Sequence, residues 1–135
     1  MPHITAFDAQ KHHVHLTPTV IDGDGVAHVF RAILDTGAPG SEFSDRFLQT
    51  IHLFNPAKQH AVTIPDGLQT QKHGTTTLPR LECLGQALEH LTVYVSRFDE
   101  SWGIDALIGL DFFRKFRVTI DYAAGQIVTE PYGRQ

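Results

Sequence analysis

The chain has 135 residues, 41% of them hydrophobic, enough for one core but not for a second independent one, so a single domain spanning 1–135 is expected. Fifteen acidic against eleven basic side chains leave a net charge of −4, and the one close basic group, Arg114, Lys115 and Arg117, reads as a solvated helix end; a nucleic-acid partner is therefore excluded. A lone cysteine, Cys83, rules out an internal disulfide. No stretch approaches the ~18 apolar residues of a membrane span, and the first residues resemble no signal peptide, so the expectation is a cytoplasmic protein without a membrane partner.

Residues 1–11 show no clear period and read as a loose N-terminal arm or a first short strand. The stretch 13–21 is rich in β-branched residues, and Asp22-Gly23-Asp24-Gly25 signals a turn before 26–34, which predicts a hairpin whose second strand delivers Asp35. Pro18 inside the first arm points to an edge position or a bulge. Ser41 then reads as the cap of a short helix with Glu42 in its first turn, and Phe43, Phe47 and Leu48 share its inner face until the helix ends before Pro56. A short strand at 60–64, a turn at Pro65-Asp66-Gly67 and a threonine-rich arm at 68–78 suggest a largely exposed hairpin.

Two strands follow within 81–96, hinged at Gly85-Gln86, and 97–103 is a loop around Trp102. Ala106-Leu107-Ile108 reads as a second short buried strand, with Gly109 permitting close backbone packing. Asp111 is a helix cap for 112–116, and 118–122 and 126–130 form a closing hairpin around 123–125. The expected class is all-β with two short helices. No sequence repeat is present, but strand, apolar-to-Gly turn and short helix recur at 32–49 and 105–116, and only the first copy contains Asp-Thr-Gly.

The informative segment is Ala32-Ile33-Leu34-Asp35-Thr36-Gly37-Ala38. An aspartate at the mouth of an apolar strand loses hydration and needs hydrogen bonds, a counter-charge or a shared proton. Splitting an unactivated amide by acid–base chemistry takes two carboxyls, one ionised to accept a proton from water and one protonated to donate to the carbonyl side. Asp22, Asp24 and Asp66 precede glycines in open turns, and Asp105, Asp111 and Asp121 flank the later apolar segments, so no second internal copy exists. Symmetry is the simplest solution, with a homodimer bringing two Asp35 side chains together.

The Asp-Thr-Gly-Ala motif with its apolar lead-in, followed by Asp105-Ala-Leu-Ile-Gly109-Leu-Asp-Phe-Phe113, resembles the retropepsin-like aspartic peptidases over roughly residues 14–130. That resemblance implies an all-β, closed or open barrel-like protease half, active as a homodimer on extended polypeptide, with no cofactor and no metal. It implies Asp35 as catalytic acid and base, Thr36 interlocking with its symmetry mate, Gly37 beside the dyad, and Ala38, Asp66, Gly67, Leu107 and Ile108 contacting substrate, with 60–80 in the position of a closing flap. Ala38, where pepsin-like enzymes usually carry serine, removes a donor to the carboxylate, and activity reaching weakly acid or near-neutral pH is expected. Pro39 departs from the family pattern at the edge of the site. Trp102 reads as a pocket lid or a core cap, and His13 and His15, on one strand face, as surface residues rather than metal ligands. The alternative is a noncatalytic module that grips peptide strands with the same fold.

Overall fold

After a first strand, β1 (His3–Ala6), the Asp22–Gly25 turn closes a hairpin whose arms are each broken, and these breaks organise the computed structural model, which describes residues 2–55 and 72–133. At Thr17-Pro18 the first arm divides into β2 (His15–Leu16) and β3 (Thr19–Ile21); at Phe30-Arg31 the second divides into β4 (Ala27–Val29) and β5 (Ala32–Leu34). Proline has no N–H to give a ladder, but its carbonyl still accepts, and Phe30 N donates to Pro18 O at 3.0 Å across the break. β3 pairs with β4 and β2 with β5, both antiparallel.

The remaining strands are β6 (Glu42–Ser44), β7 (Lys72–Cys83), β8 (Gln86–Ser96), β9 (Ala106–Ile108), β10 (Phe116–Asp121) and β11 (Gln126–Pro131). Two helices, α1 (Asp45–Thr50) and α2 (Leu110–Phe113), and a 3₁₀ turn at Glu100–Trp102 complete the described elements. Eight strands run in the order β2-β5-β9-β6-β8-β7-β3-β4. The two halves of one hairpin thus occupy opposite ends of one sheet, which a flat sheet does not permit; the sheet curls into a half-barrel. A separate three-stranded sheet has the order β1-β11-β10.

Two sequence expectations change, and two others are narrowed. Of the loose arm and the short strand read at the beginning of the chain, the strand forms: His3–Ala6 pairs with the otherwise open edge of β11, and Phe7 N donates to Gly125 O at 2.9 Å. Ser41 does not cap a helix, because Glu42–Ser44 is drawn into the sheet between β9 and β8; the cap is Ser44, whose hydroxyl accepts from Phe47 N. Asp111 likewise lies inside the first turn of α2, not at its cap. Finally, residues 72–78 form the first half of β7, paired antiparallel with β8, and the other arm of the expected hairpin lies outside the described residues.

Thr75 and Thr77 of β7 are exposed, as their polarity suggested, while Leu78 and Leu81 are wholly buried. Gly74, at φ 130°, sits at a shift in the β7–β8 register. The expected strand at 60–64, together with the Pro65-Asp66-Gly67 turn, lies outside the described residues. The β7–β8 turn falls one residue earlier than expected, on Leu84 and Gly85, both at positive φ (55° and 76°). Leucine tolerates that region poorly, yet its side chain is buried here, so core packing offsets the backbone cost. Beside it, burial pushes the Cys83 thiol up to about 12.

The core lies within the curl. Phe43, Leu48, Val20, Leu81, Val95, Ile108 and Phe112 are among its inaccessible side chains. Phe30, Phe43 and Phe47 form an aromatic group, with ring centroids 5.2 Å apart for the first pair and 5.1 Å for Phe30 and Phe47.

Candidate active site

β5 and β9 lie side by side and parallel, with Ala32 opposite Ala106, Ile33 opposite Leu107 and Leu34 opposite Ile108. They end at the same level, and the first residue past the end, Asp35, donates its N–H to Ile108 O at 2.8 Å. The carboxyl group is therefore carried out of the apolar layer on a turn. Its Oδ1 accepts the Gly37 N–H at 3.0 Å, and Asp35 O accepts the Ala38 N–H at 3.2 Å. A Cβ at position 37 would stand 3.3 Å from that Oδ1, so glycine leaves the carboxylate room to approach the main chain. Asp35 is half-buried, Thr36 and Gly37 are exposed, and the Ala38 methyl is buried.

The turn is locked from below by the second strand–glycine unit. Leu110 N donates to Ala38 O at 2.8 Å, and a Cβ on Gly109 would fall 2.6 Å from that same oxygen. Only glycine fits there, as its position after an apolar strand suggested.

Ser41 and Asp111, which the sequence presents as two unrelated helix caps, meet instead. Ser41 Oγ donates to Asp111 Oδ1 at 2.6 Å, Ser41 N donates to Asp111 Oδ2 at 2.9 Å, and Gly109 N donates to Ser41 Oγ at 2.9 Å. One carboxylate thus satisfies two donors of a wholly buried serine. The only signal for this pairing was that the two residues occupy corresponding places, just past the glycines, in the two units.

Asp105 is a structural acceptor: its Oδ2 takes the Arg31 N–H at 3.0 Å, and its own main chain bonds Arg31 O and Ser44 N, each at 2.7 Å. Asp121 accepts from Ala124 N in the β10–β11 turn.

Asp35 opens onto a cleft of about 380 Å³ lined by His13, Ile33, Leu34, Trp102, Ile104 and Leu107. Leu107 lines the cleft. Ile108 does not, because adjacent strand residues point to opposite faces and its side chain is wholly inside the core; it serves the site through its carbonyl alone. Asp66 and Gly67 lie outside the described residues.

Trp102 is at the cleft, 49% exposed, and not a core cap. The turn that holds it is well fixed. Asp99 Oδ1 accepts both Ser101 N and Ser101 Oγ, bonds that keep the Asp99 carboxyl below its ordinary range, Gly103 closes the turn at φ 65°, and the Phe98 ring packs 5.6 Å from the indole. An ion pair of 3.0 Å between Glu100 and Arg46 ties this turn to α1.

His13 reaches the cleft because Val14 O accepts Leu34 N at 3.0 Å, which pins its neighbour beside the Asp35 strand. The alternation of buried Val14 and Leu16 with exposed His13 and His15 was legible; the proximity to Asp35 was not. Among the described residues no three His, Cys, Asp or Glu side chains are grouped to hold a metal ion. No described helix is long and apolar enough to cross a membrane.

Neither a family model nor a curated protein sequence matches the chain. Solved structures do match. The backbone is similar to that of a retropepsin-like aspartic protease from Rickettsia conorii, at 17% identity over 97% of this chain and 91% of that one, with a TM-score of 0.69. It is also similar to the retroviral protease-like domain of Ddi1 from Leishmania major, at 18% identity over 92% of this chain and 97% of the other, with a TM-score of 0.59.

Proposed function

We propose, on the premise that this chain has the retropepsin-like fold, that it is an aspartic endopeptidase acting as a homodimer on extended polypeptide. The observation that carries the reading is the position of Asp35, held where two parallel strands end and opening onto a cleft with apolar walls. In the reaction, one Asp35 from each subunit shares a single proton; the ionised carboxylate takes a proton from water while the protonated partner donates to the carbonyl oxygen, and the charge repulsion between two such groups keeps that state populated. The orientation of Asp35 by the Gly37 N–H favours such an arrangement, since it leaves Oδ2 without a protein donor among the described residues.

The other assignments follow from the same placement. Thr36, exposed beside Asp35, is available to bond its counterpart on the second subunit, and Gly37 supports the carboxylate. Ala38 fixes the turn to α2 through its carbonyl. Leu107 and Trp102 form walls for a substrate side chain. Substrate lies as an added strand, bonded through its main chain, with alternate side chains entering pockets.

The test combines mass in solution with cleavage of a denatured protein between about pH 4 and 7, where carboxyl pairs of this kind exchange a proton. A dimer that cleaves, with cleavage abolished in Asp35→Asn, is the expected result. A monomer under all conditions, or cleavage unaffected by the substitution, overturns the proposal. Peptide binding without cleavage by either form assigns the chain to the peptide-gripping alternative.

A further inference from the structure

Among the described residues, His13 is the one cationisable side chain lining the Asp35 cleft; the rest of that lining, apart from Asp35 itself, is Ile33, Leu34, Trp102, Ile104 and Leu107. The floor is therefore suited to an apolar side chain. A carboxylate would not enter it, because desolvation and repulsion from Asp35 both oppose the charge. At the lip the balance reverses. His13 is exposed there, next to Lys11 and His12, which are exposed as well.

His15 lies on the same strand face, and its imidazole is held below the ordinary histidine value by burial first, then by Lys11 and by His13, with Asp8 acting the other way. Those effects place Lys11, His13 and His15 in one electrostatic neighbourhood with a single acidic counterweight. From the other elements around the cleft, Asp99 is bonded to Ser101, Glu100 is paired with Arg46, and Asp105 bonds the Arg31 main chain. Among the described residues, Asp35 is thus the acid that lines the cleft together with His13.

We propose that His13 determines the charge preference of this site, selecting polypeptides that carry an acidic side chain two positions from the apolar residue seated in the cleft. The spacing follows from an extended peptide, in which residues i and i+2 share a face about 7 Å apart. The inference rests on the endopeptidase reading for its reaction but concerns binding. A histidine attracts an acidic side chain only when protonated, so the preference is expected to depend on pH.

The test uses the full chain carrying Asp35→Asn, with Trp102 emission as the reporter because it is the only tryptophan and lines the cleft. Two peptide pairs are titrated. Each pair differs only by Glu or Gln, placed two positions before a leucine in one and two after it in the other.

In one pair at pH ~5.5, the Glu peptide is expected to bind about three- to fivefold tighter, the worth of one solvent-exposed charge pair. The difference should vanish at pH ~8, where histidine is neutral. It should also vanish in His13→Gln at pH ~5.5, the ratio of the Glu to the Gln peptide affinity falling to about one with the circular dichroism of the fold retained.

Equal affinities at pH ~5.5, a preference that survives His13→Gln, or one that persists at pH ~8 overturns the assignment. The pH comparison needs no change at position 13, so a folding defect in the variant does not protect the proposal. Wild-type cleavage of the same peptides separates the two readings. Glu preference without cleavage leaves His13 standing and removes the endopeptidase; cleavage without preference does the reverse.

Discussion

The two strand–glycine units share a plan and differ in what they expose. In the first, β5 runs into Asp35-Thr36-Gly37, a turn long enough to lift a carboxyl group and a hydroxyl toward solvent before β6 and α1 begin. In the second, β9 passes through Gly109 directly into α2, and its aspartate, Asp111, turns back to bond Ser41. One unit presents its acid and the other spends its acid on holding the first in place. Two aspartates in near-equivalent settings thus acquire opposite roles, decided by whether two residues of turn or none separate the strand from its glycine.

That contrast is broken most severely by Asp35→Asn. Activity on a peptide should fall by at least about a thousandfold, the scale seen when one member of a catalytic unit is removed, while the melting temperature stays within a few degrees of wild type. A large loss of stability would instead mark Asp35 as a structural acceptor like Asp111.

Gly109→Ala attacks the second unit. Its Cβ would meet the Ala38 carbonyl at 2.6 Å and the Gly40 main chain at 3.0 Å, none of it flexible side chain, so a destabilisation of about 3 kcal/mol is expected in urea titration. An unchanged midpoint would show that the two units are not in contact as described.

Asp111→Ala strands two donors of the wholly buried Ser41 and should cost about 2 kcal/mol. Asp111→Asn keeps an acceptor and should cost less. If both lower stability equally, charge rather than hydrogen bonding holds the units together.

The smallest effect lies far from both units, at the β3–β4 turn. His28 Nε2 meets Asp22 Oδ2 at 2.9 Å, and this bond, followed by the Val26 N–H, holds the Asp22 carboxyl below its ordinary range. A depressed carboxyl contributes stability above its unfolded value, and the contribution is lost as pH falls through the folded one. His28→Gln should therefore weaken the fold at neutral pH and leave stability unchanged at acid pH low enough to protonate Asp22 in wild type. An equal loss across the whole range would deny the Asp22 carboxylate any part.

Much of the architecture was readable because it rests on short-range chemistry. The Asp22–Gly25 turn, the buried Ala106–Ile108 strand, Gly109 and the final hairpin all depend on backbone preferences and alternation within a few residues. The errors share one cause. Ser41 and Asp111 satisfy every local rule for a helix cap, since a short polar side chain before an apolar run caps well, but the half-buried Asp111 carboxylate competing for the Ser41 hydroxyl wins. Residues 42–44 were read as helix for their neighbours' sake, yet the gap between β9 and β8 required a strand. Leu107 and Ile108 looked alike until the curl of the sheet assigned one face to the cleft and the other to the core.

By itself, the sequence determined a β-rich chain with one carboxyl group on a glycine turn at the end of an apolar strand, because turn dihedrals and strand alternation are properties of adjacent residues. Only the tertiary structure decided that the halves of the first hairpin part to opposite ends of a curled sheet, that Asp111 locks the turn carrying Asp35, and that His13 and Trp102 come to its cleft. Those outcomes depend on which strand edge finds which partner once the sheet twists, and no window of sequence contains that competition.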